Sequence, residues 1–117
     1  MKQIFQLDPW KIVEDQYRPE YQKIAESVFS QGNARMGGRG HFEEYYSGPS
    51  LIGNYVGGIY YPDKTRVGWW KNGYPEYFAK VINAPSWIGI DVKVDGEMLD
   101  LAACKVLDFH RELNMKQ

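Results

Sequence analysis

The residue types best suited to chemistry gather in one short run, where Trp69, Trp70, Lys71, Asn72 and Tyr74 fall within six positions. Indole faces match the C–H face of a pyranose, while amides and cations bind its hydroxyls, so this set reads as a carbohydrate platform. The same rings also serve as anchors for another domain or subunit, because Trp and Tyr concentrate at interfaces and paired exposed indoles are costly unless covered. Both readings stay open, with interface weighted above sugar. Lys64, Arg66 and Lys71 add a loose cationic cluster, suited to inorganic phosphate or simply to solvent.

Other constellations carry less. Glu43 and Glu44 are adjacent, and neighbouring side chains on an extended backbone point apart, so they cannot flank one glycosidic bond as a catalytic pair. They read as a solvated or interfacial acidic turn. His41 and His110 are the only histidines and Cys104 the only cysteine, at spacings that support neither a triad nor a metal site. No metal is expected. His110 reads as a surface residue and Cys104 as a small buried hydrophobe. Residues 32–40 hold four glycines but lack the Gly-Lys-Ser/Thr closure of a nucleotide loop, so glycine-bulged strand is the better reading.

The elements that must position these groups are mostly strands. Trp10, Ile12 and Glu14 share one side of a first strand and Val13 the other, ending at Arg18-Pro19. After Pro19, the apolar residues Tyr21, Ile24, Ala25, Val28 and Phe29 recur at helical spacing, with proline where a first turn accepts it. Further strands are expected over residues 54–61 and 77–82. In residues 87–101, Ile88, Ile90, Val92 and Val94 alternate with Gly89, Asp91 and Lys93, which predicts a strand with one buried face. Asp95-Gly96 supplies a two-residue turn, placing Val94 opposite Glu97, Val92 opposite Leu99 and Ile90 opposite Leu101. Leu107, Phe109, Leu113 and Met115 share a parity broken at Arg111, in a last segment for which no partner strand is evident. An unfinished edge of that kind favours pairing between copies.

A chain of 117 residues suits one domain, and twelve Gly with nine Tyr, four Trp and five Phe favours β-structure. The fold class is mainly β, an antiparallel β-sandwich with at most one short helix. Fourteen Lys and Arg against fifteen Asp and Glu, mixed along the chain, argue against a nucleic-acid partner. No stretch of eighteen apolar residues and no apolar leader is present, so a cytoplasmic protein without a membrane partner is expected.

Residues 61–75, Lys80-Val-Ile-Asn-Ala84 and Ile4-Phe-Gln-Leu-Asp-Pro-Trp-Lys11 together resemble the amino-terminal region of the maltose phosphorylases of glycoside hydrolase family 65. Gly32-Asn33, Met36-Gly37, Arg39-Gly40 and Phe42-Glu43-Glu44 keep a block of that family, while Ala34-Arg35 stands in place of a usual Gly-Tyr. His41 replaces an acid or amide common there. The resemblance implies that residues 1–117 are one partial domain, the first part of a larger amino-terminal β-sandwich, and that a helical (α/α)6 barrel outside this chain does the chemistry. There a glutamic acid protonates the glycosidic oxygen while inorganic phosphate, the cosubstrate, attacks the anomeric carbon with inversion and without a cofactor. No catalytic residue is expected in this chain. The implied partners are the catalytic domain of the same polypeptide, an α-glucoside disaccharide and a second copy in a homodimer, with Arg39 and His41 as pocket-rim candidates. It also implies that residues 26–33 lead into a sheet strand, confining helix to residues 19–25. A stand-alone carbohydrate-binding or interaction module and a family-65 hydrolase of α-glucosides are the alternative functions.

Overall fold

In a computed structural model, which describes residues 3–66 and 75–116, ten strands form four small antiparallel sheets, open rather than closed into a barrel, with one short helix. The fold is mainly β, as composition and alternation imply. The first sheet has the order β1 (Gln6–Leu7), β2 (Lys11–Glu14), β10 (Arg111–Asn114), and β10 runs antiparallel to β2 with Arg111 opposite Glu14. The last segment therefore has a partner, contrary to the sequence expectation. That partner lies about a hundred residues back, beyond the reach of any local pattern.

A 3-10 turn at Pro19–Tyr21 leads directly into α1 (Gln22–Val28). Helical periodicity was the better guide here than the family resemblance, which had placed a strand lead-in from residue 26. Burial explains the outcome. Ala25, Glu26 and Phe29 are all buried, so ending the helix at Ala25 would break the face it packs. Glu26 is fully buried and its carboxylate accepts hydrogen bonds from the Ser50 hydroxyl, the Leu51 N–H at 2.6 Å and the Gln22 amide at 3.2 Å. A buried carboxylate needs such donors, and these tie residues 50–51 to the helix.

The second sheet is β3 (Gln31–Gly32), β4 (Met36–Gly38) and β5 (Asn54–Val56). Glycine lets these backbones approach closely: a Cβ on Gly37 would sit 3.2 Å from the Gln31 carbonyl oxygen of the paired strand. At the β3–β4 turn, Asn33 Oδ1 accepts from the Met36 N–H at 2.9 Å and Ala34 takes a positive φ of 67°. That is the left-handed region, disfavoured for any residue with a Cβ. The strand expected over residues 54–61 is two strands, because Gly57-Gly58 turns the chain, with Gly58 at φ 81°.

β6 (Tyr60–Lys64) pairs with β7 (Tyr77–Val81), and β8 (Lys93–Val94) pairs with β9 (Glu97–Met98). The predicted Asp95-Gly96 turn is present, with φ of 51° and 86°, and Val94 faces Glu97. The Leu99 N–H donates to the Val92 carbonyl at 2.8 Å, continuing the register as derived. Beyond that the two arms separate. Ile90 donates its N–H to the Glu43 carbonyl at 2.6 Å and Leu101 donates to that of Tyr45 at 3.2 Å, so both arms dock on residues 43–45. The face expected to be buried is not: Ile90 and Val94 are exposed.

Among the described residues only Val13, Ala25 and Phe29 are buried hydrophobics, and the packing centre is an aromatic cluster. Phe42 sits 5.2 Å from Tyr46, 6.1 Å from Phe109 and 6.2 Å from Tyr17, ring centre to ring centre. Cys104 is exposed rather than buried, because it lies in a turn closed by backbone bonds to Asp100. The accessible surface of 9182 Å² exceeds by roughly 2,600 Å² the value of about 6,600 Å² for a compact monomer of this mass. The radius of gyration of 18.4 Å is likewise above the roughly 13 Å of a compact chain of this length.

Candidate binding cleft

A cleft of about 530 Å³ opens between β10 and the glycine-rich β3–β4 hairpin, with residues 87–88 on its wall. Its polar lining includes Asn33, Arg39, His41, Glu43 and Asn54, and Trp87 supplies an aromatic surface. A second hollow of about 460 Å³ on the other side of His41 is bounded by Tyr17, Phe42, Phe109 and His110.

Each polar group reaches the cleft through a definable local cause. β4 pairs with β5 so that Gly38 faces Asn54, and a Cβ on Gly38 would stand 3.3 Å from Asn54 Oδ1. Asn54 is 1 % exposed; its backbone N–H is held by Asn83 Oδ1 at 2.7 Å and its carbonyl accepts from the Ala84 N–H at 2.6 Å. Its own side-chain Oδ1 and Nδ2 find no hydrogen-bond partner among the described residues. Arg39 turns back on α1, donating through Nη2 to the Lys23 carbonyl at 3.2 Å and to the Ser27 hydroxyl, while its buried Nε is unpaired among the described residues. His41 is buried, with Nδ1 3.0 Å from the Arg39 carbonyl and Nε2 3.4 Å from Ser86 Oγ.

Arg111 closes one end of the cleft. Its guanidinium donates to Glu14 Oε2 at 2.6 and 3.1 Å and to the Gly40 carbonyl at 2.9 Å, and lies over the rings of Phe29, Phe42 and Phe109. Its charge is thereby spent inside the protein. Glu112 is similarly engaged, 2.9 Å from Lys11 Nζ.

The structure thus brings the two rim candidates, Arg39 and His41, to one cleft. Trp69, Trp70, Lys71, Asn72 and Tyr74 lie outside the described residues. Of the cationic cluster, Arg66 stands 3.9 Å from Asp63, which also faces Lys80 at 3.6 Å. Glu43 and Glu44 are exposed and hold Ile90 through an isolated backbone bridge, and His110 is exposed. Among the described residues no group of three or more His, Cys, Asp or Glu is placed to hold a metal, and no helix is long and apolar enough to cross a membrane. Sequence reasoning missed Asn54 and Trp87. Neither stands out by type or spacing, and only the topology puts them together.

Residues 12–117 match the glycosyl hydrolase family 65 N-terminal domain. The chain belongs to glycosyl hydrolase family 65. It is 52 % identical over 99 % of its length to a maltose phosphorylase of Bacillus subtilis, of which it covers 15 %. To a kojibiose phosphorylase of Thermoanaerobacter brockii it is 33 % identical over 94 % of its length, covering 13 % of that protein. An α,α-trehalose phosphorylase of the same organism is 35 % identical over 99 % of this chain, which covers 15 % of it. Among solved structures, a human-microbiome protein provisionally named a kojibiose phosphorylase superposes with a TM-score of 0.82 at 34 % identity, over 95 % of this chain and 15 % of that one. The chain therefore spans about one-seventh of the length of these family-65 relatives.

Proposed function

We propose that this chain is the first part of the amino-terminal β-domain of an α-glucoside phosphorylase, and that the α-glucoside is maltose. The observation that carries the reading is the step in identity, 52 % to a maltose phosphorylase against 33 % and 35 % to kojibiose and trehalose phosphorylases over comparable lengths. The parent enzyme would cleave maltose with inorganic phosphate, inverting the anomeric centre to give glucose and β-glucose 1-phosphate. One protein acid suffices for that reaction, since phosphate replaces the activated water of an inverting hydrolase.

In the parent, this chain buttresses the helical catalytic domain, shapes the rim of the substrate pocket and contributes to a cytoplasmic homodimer. The excess accessible surface supports a buttressing role, because roughly 2,600 Å² is on the scale of a large, stable interface. Exposed Tyr60, Tyr61, Tyr77, Phe78, Ile90 and Val94 are the side chains such contact would cover.

The test is a comparison of the purified 117-residue chain with the full-length enzyme, each incubated with maltose and phosphate. The full-length enzyme is expected to release β-glucose 1-phosphate, and the chain alone to release none. Turnover by the chain itself would overturn the assignment of chemistry to another domain. Release of glucose without its phosphate ester by the full-length protein would make it a hydrolase, and preference for kojibiose or trehalose would overturn the choice of maltose.

A further inference from the structure

We propose that the cleft between β10 and the β3–β4 hairpin is a binding site for a single neutral pyranose unit, with Asn54 at its floor and Trp87 as its aromatic wall. The starting point is an unmet requirement. Buried polar side chains are almost always hydrogen-bonded, and each exception calls for a reason. Asn54 is 1 % exposed, yet both its amide oxygen and its amide nitrogen are unpartnered among the described residues. Its backbone is pinned on both sides by Asn83 and Ala84, which holds the strand at the floor of the cleft. Glycine at position 38 eases the fit of the amide there, since a Cβ would stand a tight 3.3 Å from its oxygen.

The chemistry of the lining selects the ligand. An amide with a free acceptor and a free donor complements hydroxyls, each of which is both donor and acceptor. The unpaired Arg39 Nε adds a donor and the exposed Glu43 carboxylate an acceptor. Trp87, 47 % exposed on the wall, offers a flat apolar surface for the C–H face of a ring. An anion is disfavoured by the charge balance of the lining, since Arg111 is neutralised by Glu14 at 2.6 Å and the remaining cation, Arg39, is matched there by the Glu43 carboxylate. The volume of about 530 Å³ falls within the span of roughly 300–1,000 Å³ usual for small-molecule sites. None of these arguments depends on which reaction the parent catalyses.

The experiment is a titration of the isotope-labelled 117-residue chain by nuclear magnetic resonance, with glucose, with maltose and, separately, with inorganic phosphate. The Asn54 side-chain amide and Trp87 indole signals are expected to move together and saturably with the sugars, with a dissociation constant on the order of 1 mM, and to stay still with phosphate. Trp87→Ala, at a half-exposed position, is expected to weaken binding about tenfold or more with an unchanged circular dichroism spectrum. Asn54→Ala should abolish it, and if that variant does not fold, Trp87→Ala still decides. No saturable shift with either sugar, the same shifts with phosphate, or full affinity in Trp87→Ala would each overturn the proposal. Sugar binding with no turnover supports this site and leaves the function of the parent untouched, whereas turnover by the chain would overturn that function and not this site.

Discussion

Truncating Arg111 tests where the stability of this chain resides. Arg111 is 17 % exposed and its partner Glu14 only 3 %, with two charge-assisted bonds between them and a third to the Gly40 carbonyl. In Arg111→Ala the Glu14 carboxylate remains in place, buried and without its counter-ion, a situation that costs about 3–5 kcal/mol. The loss is centred on the first sheet and its contacts with α1. Amide hydrogen exchange of β2 and β10 is therefore the appropriate assay, and that energy corresponds to a fall in protection of about a hundred- to several-thousand-fold. Adding Glu14→Gln removes the stranded charge, so the double variant is expected to recover at least about tenfold of the lost protection. A drop of less than about tenfold in β2 and β10, or no recovery in the double variant, would refute the view that this ion pair holds the first sheet together.

Two other outcomes follow from local geometry. Burial pushes the Tyr17 phenol up to about 12 from its ordinary 10.0, and its hydroxyl donates to the Leu101 carbonyl at 2.9 Å. The stability tied to this group is complete below pH 10.0 and is lost as pH rises toward about 12. Ultraviolet titration should show one tyrosine ionising late, and Tyr17→Phe should flatten the alkaline fall in melting temperature; an unchanged titration in that variant would remove Tyr17 as the cause. Ala34 occupies a left-handed conformation at φ 67°, so Ala34→Gly should raise stability by up to about 1 kcal/mol in a urea titration, and a loss of stability would contradict the strain argument.

Local rules were legible where the responsible residues are neighbours. Asp95-Gly96 set a turn and with it the register at Val94 and Val92, and the glycines of residues 32–40 announced close backbone pairing. The spacing of Tyr21, Ile24, Ala25 and Val28 gave the helix correctly, against the pull of the family resemblance. What failed was non-local. The break in alternation at Arg111 was visible, but nothing in sequence says that its partner is Glu14, 97 residues away. Asn54 and Trp87 are ordinary in type and become a site only when β5 and residues 83–88 are laid side by side. The apolar run from Ile88 to Val94 was read as one buried face because alternation reports amphipathicity and not what covers it. In the family block, Ala34 in place of glycine marked a departure, and the backbone angle there gives that departure its physical meaning.

The β6–β7 hairpin stands apart from the rest of this architecture, with every residue of β7 exposed and Tyr60, Tyr61, Tyr77 and Phe78 all turned toward solvent. A two-stranded ribbon wetted on both sides has little intrinsic reason to persist, and its outward side chains do not constrain the packing of any other strand described. Whatever covers those rings must therefore match their shape. Grafting the ribbon of one family member onto another would carry over whatever fit those rings encode while leaving the Arg111 cluster undisturbed.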